Sequence, residues 1–178
     1  MLKKTLMAAL MAFTLPAVPA VASGVSDAAQ RASSACLVAA AWNEARGRPT
    51  EEVVAVMHAV VNRSNHPAFE STVCGVVLEK GQFHMSPDFR RLVVEAKRTG
   101  HVRLKLSRPA DVSTYERMSV LADIVLDGNS ADPTHGATHF YTPKLRAHMR
   151  LPKAPTWAKR LPLTAVIGEF RFHKLKVL

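Results

Sequence analysis

From Ala35 through Trp42 every residue is apolar and most are small, and Gly47-Arg48-Pro49 follows after four more residues. Cys36, Leu37, Ala40 and Ala41 recur at helical spacing, and the glycine and proline end the run. An Ala-rich apolar helix is expected here, with Glu44 in its last turn. A second helix follows: Thr50 can cap it, Glu51 and Glu52 complement its positive end, and Val53, Met57, Val60 and Val61 make its buried stripe. Ser86-Pro87-Asp88 opens a third, carrying Phe89, Leu92, Val93 and Ala96 to a stop at Gly100. Residues 101–110 are basic, contain a proline and read as a loop. Ser113-Thr114-Tyr115-Glu116 has the form of a capping box for a fourth helix running through Val125 to Gly128. Beyond it, residues 137–141 and 170–173 look like short strands, separated by a proline-rich stretch from Pro143 to Pro162. The expected fold class is α+β: a single, mostly helical domain with a small strand element.

The chain has 178 residues, enough for one domain with a real core. Lys and Arg number 24 against 14 Asp and Glu, a net charge of +10 that suits a polyanionic partner, either nucleic acid or an anionic cell envelope. The first residues choose between them. Lys3 and Lys4 precede an apolar stretch from Leu6 to Leu15, then Pro16 and Pro19, and Ala20-Val21-Ala22 supplies the small-x-small pattern of a signal-peptidase site. Residues 1–22 are therefore expected to be a signal peptide, with Ser23 as the new N-terminus and residues 23–34 as a short linker. A core helix or a retained anchor is the alternative. Export places the protein in the periplasm, envelope or extracellular space, where it meets wall polymers rather than nucleic acid. Cys36 and Cys74 form a single pair that an oxidising compartment would join as one disulfide; two buried thiols are the other arrangement. No C-x-x-C pairing offers a zinc site.

Glu44 is the first candidate for chemistry. Desolvation beside an apolar helix and the negative end of that helix both push a carboxyl pKa up. A carboxylic acid so held can donate a proton to a glycosidic oxygen, unless Arg46 points at it. The other reading is a solvated carboxylate in the last turn. A second catalytic carboxylate is not evident: Asp123 and Asp127 sit on a helix that looks structural, and Asp132 lies in a turn beside Pro133. His135 and His139 are four apart, but Gly136-Ala137-Thr138 between them is poor helix, so no metal is expected.

Trp42-Asn43-Glu44-Ala45-Arg46-Gly47, Ala55-Val56 and Val60-Val61-Asn62-Arg63 resemble the SleB-type cell-wall hydrolases, the spore-cortex-lytic enzyme family. The resemblance continues through Val73-Cys74-Gly75-Val76-Val77, Gln82-Phe83, Gly136-Ala137-Thr138-His139-Phe140-Tyr141, Trp157-Ala158 and Ile167-Gly168, so it spans roughly residues 35–173. It implies a lysozyme-like fold over residues 35–178, its strand element antiparallel. It also implies cleavage of the peptidoglycan glycan strand by lytic transglycosylation, with Glu44 as the catalytic acid. Arg48, His84-Met85 and Glu169-Phe170-Arg171 depart from the family pattern.

Gln82, Phe83, His139, Tyr141 and Trp157 are the candidates for the sugar cleft, because aromatic faces pack on sugar C–H groups and an amide can pair with an N-acetyl group. Phe83 and Trp157 suit core packing equally well, and His139 could be a structural histidine. The basic set Lys97, Arg98, Arg103, Lys105 and Arg108 either steers the enzyme to anionic wall polymer or is a solvated face. The expected enzyme is a monomer without cofactor or metal that associates transiently with the envelope and acts on glycan strands. The alternatives are an N-acetylmuramoyl-L-alanine amidase and a catalytically inactive wall-binding protein.

Overall fold

Helix α1 (Val21–Ala45) is the element around which the others gather: α2 (Thr50–Ser64), α3 (Val73–Leu78), α4 (Pro87–Thr99) and α5 (Pro109–Leu126) all pack on it. This explains its composition. Residues 35–41 are each no more than 5% exposed, and a helix surrounded on all sides has no polar face to keep. Its alanines let four neighbours approach closely. The computed structural model describes residues 21–83, 85–152 and 154–177, with side chains from Asp27 onward. Residues 1–20 of the expected signal peptide, and His84, lie outside the described residues.

Residues 23–34 form helix and not the expected linker. Ala28, Ala29, Gln30 and Arg31 are strong helix formers, and the segment is tied down: Gln30 Nε2 donates to Asp127 at 3.0 Å and Ser34 Oγ donates to Asp123 at 2.7 Å. Asp123 and Asp127 are thus structural, holding α5 against α1. Helix α5 also starts a turn earlier than its capping-box signal, because Pro109 takes the first helical position and Arg108 pairs with Asp111 there. Thr50 is the first residue of α2 and makes no cap bond; its hydroxyl accepts from Arg117 at 2.9 Å. Ser86 and Gly100 bound α4 as expected, the serine accepting from the Phe89 N–H and the glycine turning left-handed at φ +71.

Cys74 lies on α3, a six-residue helix without sequence warning, capped by Thr72. It is bonded to Cys36 of α1, with Cα atoms 5.3 Å apart. The bridge closes a 38-residue separation and is worth about 2–4 kcal/mol. Thiol titration of unfolded, unreduced protein should therefore find no free thiol; two per chain would contradict the pairing.

Strands β1 (His139–Tyr141), β2 (Leu163–Ile167) and β3 (Phe170–His173) form an antiparallel sheet in the order β1-β3-β2. Phe140, Phe170 and Phe172 pack against one another with centroids 5.8–5.9 Å apart. His139 pairs with His173 and Tyr141 with Arg171 in the β1–β3 register. The turn into β3 rests on α2. Glu52 is buried and accepts the Glu169 N–H at 3.4 Å, and a Cβ at Gly168 (φ +51) would lie 2.2 Å from that carboxyl. Glu52 is therefore a support for the sheet and not only a charge at a helix end. The short helix α6 (Pro143–His148) and a 3-10 turn at Thr156–Lys159 occupy the proline-rich stretch.

Candidate active site

Glu44 is half-buried in the last turn of α1, and Asn43 Nδ2 donates to its Oε1 at 2.7 Å. The Arg46 guanidinium lies over the Trp42 ring, 5.1 Å from its centroid. Glu44 opens onto a cleft of about 300 Å³, also lined by Arg48, Phe140, Tyr141, Arg146 and Phe170. Among the described residues lining this cleft, Glu44 is the sole acid.

Two residues of α2 hold the opposite wall in place. Asn62 Nδ2 faces Asp132 Oδ2 at 2.9 Å, Ala137 O at 3.0 Å and Thr134 Oγ1 at 3.3 Å. Asp132 also accepts from the Thr134 and Gly136 N–H groups, and these bonds hold its carboxyl below the usual range despite burial. It is a loop anchor. Arg63 is buried, donates through Nε to Thr138 O, and sits among Phe83, Phe140 and Phe69, 5.3–5.8 Å from their centroids. Burial pulls its guanidinium down to about 10, and the carboxylates of Glu44 and Glu79 partly offset this. Asn62 and Arg63 thus fix the strand that carries His139 and Tyr141.

A second cleft, of about 480 Å³, is lined by Phe69, His139 and Trp157 with Arg160 and Leu161. Trp157 lies 5.0 Å from His139, 5.8 Å from Tyr141 and 5.5 Å from His173, centroid to centroid. Tyr141 lines the Glu44 cleft and Trp157 the second one, and the two rings pack edge to face, so the walls of the two clefts are in contact there. The His173 ring bonds Leu161 O through Nδ1 at 2.9 Å, and its Nε2 has no partner among the described residues.

The expected site residues therefore divide. Glu44 and Tyr141 share one cleft, His139 and Trp157 the next. Phe83 is only 7% exposed and packs under Arg63, which makes it a core residue and not a cleft wall. Gln82 is half-buried in the turn after α3 and lines neither cleft. The basic set from Lys97 to Arg108 does not line the Glu44 cleft either. Arg63, which the resemblance includes without a role, and Phe69, which it does not include, also belong to this site. A signal for Arg63 existed: it follows Val56 and Val60 on the buried face of α2, where a charge must have a task. Among the described residues no three His, Cys, Asp or Glu side chains cluster as metal ligands would. None of their helices is long and apolar enough to cross a membrane.

His139 is pushed down to about 4 from the usual 6.5, first by burial and then by the charges of Arg63, His173 and His66. The unfolded chain therefore binds this proton more readily than the folded one between those values. Stability from a neutral His139 is fully present above about pH 6.5 and is lost as pH falls toward 4. Burial lowers His58 as well, which adds to the same trend. In urea unfolding at stepped pH, His139→Phe should flatten this slope while keeping ring packing against Trp157. An unchanged slope would contradict the assignment.

The profile of the cell wall hydrolase family matches residues 47–173, beginning just after Glu44. This chain belongs to that family. Its curated relatives include the spore cortex-lytic enzyme of Halalkalibacterium halodurans, 30% identical over an alignment of 114 positions that covers 58% of this chain and 25% of the relative. The spore cortex-lytic enzyme of Bacillus subtilis is 38% identical over an alignment of 60 positions that covers 29% of this chain and 20% of the relative. The chain thus spans about a quarter or less of these relatives' length. In fold it is similar to the catalytic domain of the germination-specific lytic transglycosylase SleB from Bacillus anthracis: TM-score 0.50 and 22% identity, covering 80% of this chain and 94% of that one. The expected α+β class agrees with this likeness.

Proposed function

We propose that this protein is an exported peptidoglycan-degrading enzyme that cleaves the bond between N-acetylmuramic acid and N-acetylglucosamine by lytic transglycosylation. The observation that carries this is a cleft of about 300 Å³, walled by Tyr141, Phe140 and Phe170, into which a single described acid opens. Glu44 donates its proton to the glycosidic oxygen as the C1–O bond breaks, leaving an oxocarbenium-like muramyl residue. The resulting carboxylate then takes the proton of that residue's own C6 hydroxyl while O6 bonds to C1. A 1,6-anhydro ring forms, Glu44 is protonated again, and no water is consumed. A hydrolase would need a second carboxylate to activate water or to serve as nucleophile; Asp132 is committed to its loop, and Glu169 to Arg48 and Lys144.

Arg63 supplies positive charge near the carboxylate that proton donation leaves behind. His139, Trp157 and Tyr141 offer flat rings to the sugars on the next subsites. The protein acts as a monomer, without cofactor or metal, after removal of residues 1–22, and its disulfide suits an oxidising compartment. The test is digestion of purified sacculi. Soluble muropeptides with anhydro-muramyl ends support the reading; free stem peptides would favour an amidase, and unchanged sacculi a wall-binding protein.

A further inference from the structure

The cleft that holds Glu44 continues past Arg48 and Leu145 into a neighbouring depression of about 320 Å³, lined also by Lys144, His148 and Glu169. Arg48, Lys144 and Arg146 thus stand along one continuous rim. Glu169 is the only described acid on it apart from Glu44. Its carboxylate lies 2.6 Å from Arg48 Nη1 and 3.2 Å from Lys144 Nζ, so one negative charge is shared by two cations. Arg146 Nε donates to Pro152 O at 2.8 Å, which fixes that guanidinium at the cleft wall. The rim keeps an excess of positive charge.

Between the cations the same wall is apolar. Leu145, Met149 and Leu151 are 54%, 59% and 44% exposed, and all three line the Glu44 cleft. A muramyl residue without its stem peptide offers a single lactyl carboxylate and methyl close to the sugar ring, too little to engage all three cations and the leucines between them. A muramyl residue bearing its stem peptide carries methyl side chains and free carboxylates, which match the apolar and cationic groups here.

Resting on the glycan-cleaving reading above, we infer that the Arg48–Lys144–Arg146 rim, with Leu145 and Met149, binds the carboxylates and methyl groups of the stem peptide. The enzyme therefore selects peptide-bearing muramic acid. Teichoic-acid phosphate is the other anion a wall could present, and the test separates the two.

Co-sedimentation with intact sacculi measures binding without requiring cleavage. Three substrates are compared: untreated sacculi, sacculi stripped of teichoic acid, and stripped sacculi whose peptide carboxylates have been amidated. The wild-type protein should bind the first two alike and the amidated material about tenfold more weakly. The double variant Lys144→Gln/Arg146→Gln should show the same loss on unamidated sacculi and no further loss on amidation. Equal binding to amidated and unamidated sacculi, or loss on removal of teichoic acid alone, would overturn the inference. Cleavage by wild type and by Glu44→Gln is read in parallel. If neither cleaves while the binding pattern holds, the glycan-cleaving reading fails and peptide recognition stands.

Discussion

Glu44→Gln folds like the parent and loses at least on the order of 100-fold in release of soluble muropeptides from sacculi. The amide keeps the side chain's shape and can still accept from Asn43 Nδ2, but it cannot deliver a proton. One group serves as acid in the first half of the reaction and base in the second, so no partial step survives its loss. Glu51→Gln, at an exposed position in the first turn of α2, serves as the comparison and should leave turnover nearly intact. Retained activity in folded Glu44→Gln protein, with loss instead on chelation, would favour an amidase.

The second large effect falls on stability. Arg63→Met should cost about 3 kcal/mol in urea unfolding, because it removes the donor to Thr138 O and the positive neighbour of the Glu79 and Glu44 carboxylates. Glu79 already has an oxygen buried without a hydrogen-bond partner among the described residues. Strand β1 loosens with Thr138, so activity falls as well. Arg91→Met, which removes an exposed pair with Asp88 on α4, should change stability by less than about 1 kcal/mol. A loss of similar size at both positions would mean that Arg63 is not a buried anchor.

Physical reach decides how much of this was legible in the sequence. Helices α2 and α4 announce themselves through local period and punctuation, and the acid at the end of α1 through a run of apolar neighbours. The first turns of α1 look like a polar linker because their partners lie far away, Asp127 being 97 residues beyond Gln30. Helices α3 and α6 have six residues each, too short for a period to emerge. In the site, Tyr141 and His139 follow from a motif, but their meeting with His173 depends on the β1–β3 register. Phe83 shows the converse. The sequence leaves it between cleft and core, and only its packing under the buried Arg63, beside Phe69 and Phe140, decides for the core. Asp132 also becomes interpretable only once Asn62, far back on α2, is seen to hold it.

The measurement closest to the central claim is the mass of the new muramyl end when wild-type protein digests sacculi in heavy-oxygen water. With Glu44 alone moving the proton, the muramyl residue closes on its own C6 hydroxyl. Its end should be one water lighter than a reducing sugar and carry no label. Labelled reducing ends would show that water attacked C1, and a single-acid transglycosylase would be the wrong account of this cleft.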